Sequence, residues 1–169
     1  MKQKIVIKES VRGIVEYVLK SGSLDDRFMS IGRAMEGTIA HGKLQKDNEN
    51  IYEDYQKEVK LQWGFIRDNI ELIIEGRTDG IIKESNNVII EEIKSTYKSL
   101  IYIEEDYNEL HWAQGKFYGY IYCKENNLKK IRIRLSYYDL NTDEVKSFEK
   151  EFILTELEAF VSELVETYM

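Results

Sequence analysis

Three extended segments follow one another between residues 58 and 96, and they constrain the fold more than any other feature of the sequence. They span Glu58 to Phe65, Ile70 to Lys83 and Val88 to Thr96. A Glu-Ser-Asn-Asn turn joins the last two, which is typical of a hairpin. The chain has no proline, so each backbone N–H of these segments can donate a hydrogen bond to a neighbouring strand. The segments predict a meander of three strands.

Two helices are predicted before this meander. Ser10 is placed to cap the first, whose apolar residues recur at helical spacing, and Ser21-Gly22 ends it. The second runs from about Ser30 to Lys46, and a rotation of ~100° per residue gives it one inner side, with His41 at the edge of that side. The predicted inner side consists of Ile31, Met35, Ile39 and Gly42.

A helix, two strands and a final helix are predicted after the meander. The helix spans about Asn108 to Lys124 and stops at Glu125-Asn126-Asn127. Residues 131–137 alternate apolar and polar side chains as a strand does, and a strand near Val145 to Phe152 can pair with them. Thr155 and Glu158 predict a capping box. One face of the last helix would carry Leu157, Phe160, Val161, Leu164, Val165 and Tyr168. The order α, α, β, β, β, α, β, β, α predicts an α/β fold with a central mixed sheet flanked by helices.

Composition limits the class of protein. The 169 residues suit a single domain, 1–169, and no apolar run approaches the ~18 to 20 residues of a membrane span. Neither a signal peptide nor an anchor is evident in MKQKIVIKES, so we expect a cytoplasmic protein. The single cysteine, Cys123, excludes a disulfide within the chain and an iron–sulfur cluster that needs four thiolates.

Three charged residues on neighbouring predicted strands suggest hydrolytic chemistry. Asp79 lies in an apolar strand, where a lone carboxylate is costly unless it binds a cation. The strand period of two places Glu92 and Lys94 on one face of the next strand, opposite Asp79. Two hard oxygen ligands would suit Mg²⁺ or Mn²⁺, which would activate water while Lys94 positions it or stabilises developing charge. A structural salt-bridge cluster that includes Arg77 is the alternative.

Asp79, twelve intervening residues and then Glu92-Ile93-Lys94 resemble the signature of the PD-(D/E)XK nuclease superfamily. The order of elements resembles its restriction-endonuclease-like core. Residues 36–41 (Glu-Gly-Thr-Ile-Ala-His) resemble the histidine motif of the RecB-like branch, and residues 114–118 (Gln-Gly-Lys-Phe-Tyr) its QxxxY motif. The resemblance implies a metal-dependent deoxyribonuclease of DNA repair or processing.

The resemblance also implies roles for individual residues. Asp79, Glu92 and Lys94 would be catalytic, the metal ligands would be His41, Asp79, Glu92 and the carbonyl of Ile93, and Gln114 and Tyr118 would face the DNA. From the residues alone, His41 is more often an ordinary helix histidine than a ligand, whereas Gln114 is equally interpreted as a core hydrogen-bonding group and Tyr118 as core. Glu36 points away from His41 and is left out of the site. His111 and Trp112 match no motif and receive no role.

The resemblance extends over nearly the whole chain. Residues 10–12, 24–28 and 110–114, with the histidine motif, resemble the nuclease module at the N-terminus of certain Firmicutes helicases of the DinG/XPD type. This implies a helicase domain in the same or a partner chain, and DNA that is single-stranded or has an end. The lone Cys123 departs from the iron–sulfur members of the RecB-like branch, so no cluster is expected.

The charge of the chain opposes strong DNA binding by this protein alone. The formal charge is −7, whereas phosphate neutralisation supplies most of the affinity of unaided DNA binders. One basic segment stands out, because residues 124–134 contain five basic side chains and one acid. Within it Lys129, Lys130, Arg132 and Arg134 are predicted DNA contacts, with a solvated strand face as the alternative. A nuclease fold used only for DNA or protein docking, with a vestigial site, is the second functional hypothesis.

Overall fold

The computed structural model describes residues 2–20 and 31–169, with only the backbone of residues 31–33, and its described strands form one mixed sheet. The strands are β1 (Ile5–Ser10), β2 (Tyr55–Arg67), β3 (Ile70–Glu84), β4 (Asn87–Thr96), β5 (Lys130–Asp139) and β6 (Val145–Ile153). The helices are α1 (Val11–Leu19), α2 (Ile31–Ile51), α3 (Glu109–Asn126) and α4 (Leu154–Tyr168), with a short 3₁₀ turn at Leu100–Tyr102. The predicted α/β class with a central mixed sheet is therefore confirmed.

The long strand β3 has two different partners along one edge. β2 runs antiparallel along its other edge from Ile70 to Ile82. On the edge away from β2, β1 pairs with β3 in parallel as far as Glu75. On the same edge, β4 pairs with β3 antiparallel from Gly80 onward. Residues 76–79 therefore have no strand partner on that edge. We call this gap, where β3 and β4 part, the fork.

The helices divide between the two faces of the sheet. Helices α1, α3 and α4 contact one another and share one large core with β3 and β5, to which they contribute Val11, Phe117 and Val161. Helix α2 packs on the other face, where Ala40 and Leu44 form a small separate cluster with Ile93 and Tyr138 of the sheet. The fork is thus covered by α3 on one side and by α2 on the other.

The predicted elements recur with small shifts of boundary. Ser10 caps α1 through its hydroxyl, which accepts a hydrogen bond from Gly13 N at 2.8 Å, as expected. Residues 131–135 alternate as predicted, with the apolar side chains in the core. The predicted end of α1 at Ser21-Gly22, and residues 24–28, lie outside the described residues.

Three predictions about local structure were wrong. Strand β1 was missed, because Ile5–Ile7 is a short apolar stretch on an exposed edge strand that lacks alternation of burial. The capping box of α4 does not form: β6 passes directly into the helix at Ile153, and no side chain caps it.

The inner side predicted for α2 was also wrong. Met35 and Ile39 are 61% and 57% exposed, and the buried positions are Gly37, Ala40, Leu44, Gln45 and Asn48. This helix turns small and polar residues inward because, beside the small apolar cluster of Ala40 and Leu44, it covers polar groups of the sheet that Gln45 and Asn48 hydrogen-bond. None of the helices in the described part of the chain is long and apolar enough to cross a membrane.

Candidate functional site

Asp79 lies in the fork and replaces the missing strand pairing with its own side chain. Its Oδ2 accepts a hydrogen bond from Ile93 N at 2.7 Å, and its main-chain carbonyl accepts one from Gln45 Nε2 at 3.0 Å. Its Oδ1 is 3.5 Å from His41 Nδ1. The backbone of β2 is also irregular next to Asp79. Glu58, which lies between the paired residues Lys57↔Gly80 and Val59↔Thr78, has a positive φ of 51°. The carboxylate is therefore fixed through Oδ2, while Oδ1 faces His41, and the side chain is 21% exposed.

Glu92 lies beside Asp79 and is almost entirely buried. Its Oε1 accepts a hydrogen bond from the Thr78 hydroxyl at 2.8 Å. Burial, followed by the negative charge of Asp79, raises the pKa of Glu92 above its ordinary value, and Lys94 opposes the rise. Two carboxylates that share a desolvated position repel each other unless a proton or a cation intervenes.

Lys94 follows Glu92 on the same face of β4 and points toward α3. Its Nζ donates a hydrogen bond to Gln114 Oε1 at 2.7 Å. Within residues 2–20 and 31–169, no carboxylate lies at ion-pair distance from this amine, so the salt-bridge cluster considered from the sequence does not form. Gln114 is an uncharged partner, so the hydrogen bond of Lys94 in the described part of the chain is not an acid–base pair.

Tyr118 is one turn beyond Gln114 on α3 and packs on the backbone of the fork. A Cβ atom on Gly76 would lie 2.6 Å from the Tyr118 hydroxyl, so only glycine allows this approach. Burial, with the charges of Glu92 and Asp79, raises the pKa of Tyr118 above its ordinary value. Tyr118 is 7% exposed, so it has a packing role at the fork, and its contact with DNA stays a prediction.

The donors around the fork suit a divalent cation. His41 and Asp79 present a nitrogen and a carboxylate oxygen side by side, and both side chains are partly exposed. The N–H and C=O of one strand residue point to the same edge, so the carbonyl of Ile93 faces the fork with its N–H. Among the described side chains, no three His, Cys, Asp or Glu residues form a ready-made metal cage, because Glu92 is turned to Thr78. His41, Asp79, Glu92 and Ile93 therefore fit Mg²⁺ or Mn²⁺ in donor chemistry, and Glu92 is the donor that has to reorient.

A pocket of about 430 Å³ opens next to the fork on the side of α1 and α3. His41, Lys94 and Gln114 line it, which connects the metal-ligand candidates to the pocket. His111 also lines it and accepts from or donates to the Tyr137 hydroxyl through Nδ1 at 2.9 Å. Burial, with the charges of Lys94 and Arg12, lowers the pKa of His111 to about 3, so this ring is neutral near pH 7.

The basic residues of β5 lie on the α2 face and have acidic partners. Arg132 and Arg134 both pair with Glu149, at 2.6 and 3.0 Å, and Arg134 also contacts the Tyr52 hydroxyl. Lys130 is 3.8 Å from Glu151, and Lys129 is exposed. These ion pairs engage Lys130, Arg132 and Arg134 but not Lys129, and DNA contact by all four residues stays a prediction.

Two residues of the site were not identified from the sequence. Gln45 is four residues after His41, so both reach Asp79 from one face of α2, and this spacing was an available signal. Thr78 is next to Asp79 and hydrogen-bonds Glu92, but a buried threonine in a strand gives no chemical signal by itself. Trp112 is structural, since its Nε1 donates to the carbonyl of Glu105 at 2.7 Å.

The comparisons with known proteins bear on the fold alone. No protein-family profile matches the chain, and no curated protein matches it. Among solved structures, one described as "Crystal structure of SSO0001" matches with a TM-score of 0.60 at 18% identity. The match covers 99% of this chain and 78% of that one. The arrangement of strands and helices is therefore shared with a distant structure over almost the entire length of the chain.

Proposed function

We propose that the protein is a metal-dependent deoxyribonuclease that hydrolyses phosphodiester bonds with Mg²⁺ or Mn²⁺ at the fork. One observation carries this proposal: Asp79, Glu92 and Lys94 lie together at a gap of the sheet, Lys94 lines the adjacent pocket, and no carboxylate of the described residues lies at ion-pair distance from its amine. Structural ion pairs usually place acid against base, whereas here Glu92 is next to a second carboxylate and Lys94 is held by an amide. The arrangement supports the PD-(D/E)XK resemblance of the sequence.

Each residue at the fork has a role that follows from its contacts. His41, Asp79, Glu92 and the carbonyl of Ile93 would hold the cation, and Gln45 and Ile93 N keep Asp79 in place. A bound divalent cation would supply Lewis-acid polarisation of the phosphate and a more acidic water. Lys94, oriented by Gln114, would stabilise the negative charge that develops on the phosphate in the transition state. Tyr118 would hold the backbone at Gly76 and so keep the fork open.

The net charge of −7 suggests that the protein works with a partner that holds the DNA. A chain with this charge repels DNA at long range, because the summed field of the protein acts on the phosphate backbone before contact. A helicase domain, in the same or a partner chain, would hold the DNA while the fork cleaves it. Repair or processing of DNA ends is the process that such an assembly would serve.

Cleavage of labelled DNA tests the proposal. With Mn²⁺ present, the wild-type protein should cut single-stranded or duplex DNA, and Asp79→Asn and Lys94→Ala should each lose about a hundredfold or more in rate, as loss of an electrostatic catalytic group does. EDTA should abolish cutting. Equal rates in all three proteins, or cutting that survives EDTA, would overturn the proposal.

The docking hypothesis has one observation in its favour. Glu92 is satisfied by Thr78, and a three-donor cage is not preformed among the described residues. If the fork is vestigial, Mn²⁺ should not raise the melting temperature, since only a ligand that binds the folded state stabilises it. A rise in wild type that is lost in His41→Ala would reject this second hypothesis.

A further inference from the structure

The pocket beside the fork has a lining that the proposed metal chemistry does not use. Its volume of about 430 Å³ lies within the roughly 300–1,000 Å³ of small-molecule sites, which suits one nucleotide better than a length of duplex. Helix α1 and the segment before α3 form the walls that are farthest from the metal-ligand candidates. These walls include Arg12, Lys20, Tyr107 and Asn108.

The pocket has more basic than acidic side chains in its lining, whereas the protein as a whole is acidic. Arg12, Lys20 and Lys94 line it, and Glu16 is the one carboxylate among its lining residues, all of which are described. Arg12 pairs with Glu16 at 2.8 Å, yet its side chain is 74% exposed and remains accessible from solvent. Lys94 donates its hydrogen bond to the uncharged side chain of Gln114. A chain with net charge −7 therefore offers this pocket as a position suited to an anionic ligand.

Tyr107 gives the same pocket an aromatic wall. Its ring is 39% exposed and makes an edge contact with Tyr137, at 5.9 Å between ring centroids. His111 lies under it at 6.5 Å and is itself tied to Tyr137. Lys98 Nζ lies 4.8 Å from the ring centroid, but an exposed cation–π contact is weak and is readily replaced. A rigidly backed, accessible ring next to positive charge is what stacking of a nucleic-acid base requires.

We infer that Tyr107 and Arg12 form a positioning subsite that holds one unpaired nucleotide, with its base on Tyr107 and its phosphate at Arg12, and presents the next phosphodiester to the fork. The inference rests on the proposed function for its substrate class. A base can stack on Tyr107 only when it has left a duplex, so the subsite selects single-stranded DNA or frayed ends. Arg12 and Tyr107 are positioning residues, because neither forms a hydrogen bond or ion pair with Asp79, Glu92 or Lys94.

Binding without catalysis tests this inference. The probe is a fluorescein-labelled oligothymidylate of about twenty nucleotides, followed by anisotropy in EDTA with the whole chain. Tyr107→Leu should weaken binding about tenfold, and Tyr107→Phe, which keeps the ring, should bind like wild type. Arg12→Gln should weaken binding severalfold and reduce the slope of log K against log salt by about one. Wild type should bind the single strand at least about tenfold better than a duplex of the same length, and Tyr107→Leu should lose most of that preference.

Matched surface variants control for nonspecific effects. Tyr102→Leu removes a 70% exposed tyrosine that does not line the pocket, and Arg67→Gln removes an exposed arginine at the end of β2. Both should bind like wild type, and thermal melting should confirm that all variants are folded. Unchanged binding in Tyr107→Leu and Arg12→Gln would overturn the subsite even if DNA is cleaved. Weakened binding in both, with no cleavage in Mn²⁺, would preserve the subsite and overturn the nuclease instead.

Discussion

Glu91 and Glu92 are consecutive residues of β4 whose carboxylates are almost equally buried, at 2% and 5% exposure, yet their surroundings differ in kind. Glu91 points to the α2 face, where its two oxygens accept hydrogen bonds from Asn48 at 2.6 Å and Ser136 at 2.7 Å. Arg134 adds a positive charge at 3.8 Å. Glu92 points to the fork, where Thr78 is its one side-chain donor among the described residues and Asp79 is its neighbour.

The difference separates a structural carboxylate from a candidate ligand. Burial raises the pKa of both acids, but the next largest influence on Glu91 is a hydrogen bond that favours its charged form, and on Glu92 it is a second negative charge. Hydrogen-bond donors and a counter-ion compensate the cost of burying a charge. A buried charge that faces another of the same sign is compensated only when a proton or a cation binds between them. Burial alone would not distinguish them, since both are at most 5% exposed.

The largest expected effect is on catalysis and metal binding. Glu92→Gln keeps the shape of the side chain but removes an oxygen ligand, so cleavage should fall about a hundredfold or more, and the stabilisation by Mn²⁺, about 2.7 kcal/mol at a hundred times Kd, should be lost. Glu91→Gln is the matched control and should retain both. Cleavage rates and melting curves with and without Mn²⁺ give the measurement. Equal cleavage rates and equal stabilisation by Mn²⁺ in the two variants would show that Glu91 and Glu92 do not differ in role.

The next effect is on folding stability and has the opposite order. Glu91→Ala leaves Asn48, Ser136 and Arg134 without their acceptor in a buried place, and should lower the free energy of unfolding by about 3 kcal/mol. Glu92→Ala also creates a cavity but removes the repulsion with Asp79, so we expect a loss of about 1 kcal/mol. Urea unfolding of the metal-free proteins measures both values. A larger loss in Glu92→Ala would make Glu92 the structural residue of the two.

The smallest effect concerns the arginines that complete the network around Glu91. Arg132 is already paired with Glu149 at 2.6 Å, so a phosphate gains little from it. Arg132→Gln should change the salt slope of oligothymidylate binding by less than about half a unit, against about one for Arg12→Gln. Anisotropy titrations at several salt concentrations decide this. A full unit of change in Arg132→Gln would restore the basic segment of β5 as a DNA contact.

The sequence predicted most of the fold because its strongest signals are local. Alternation over residues 131–137, the apolar stripe of α4 and the hairpin of β3 and β4 each depend on neighbours in the chain, and each is found. Strand β1 was missed because its pairing with β3 joins residues far apart in sequence, such as Ile5 and Ile70. The buried side of α2 was missed because apolarity was used as the guide, whereas this helix covers the polar network of Glu91 with Asn48.

The site was partly predictable for the same reason. The period of two placed Glu92 and Lys94 together, and the structure brings His41, Asp79 and Gln114 to them. The sequence did not indicate that Lys94 is held by an amide or that Glu92 is turned to Thr78, because these contacts join β4 to α3 and β3. Nor did it indicate that Arg134 forms ion pairs with Glu91 and Glu149, since ion pairing across strands depends on register.

Strand β1 has a consequence for the order of events in folding. The hairpins of β2, β3 and β4 close over a few residues, whereas β1 must find β3 across more than sixty, at a larger cost in chain entropy. Until β1 docks, nothing on that edge prevents β4 from continuing its pairing along β3 and closing the gap that holds Asp79. We therefore expect the geometry of the fork to be among the last features to form, and a destabilised chain to lose it while most of the sheet persists.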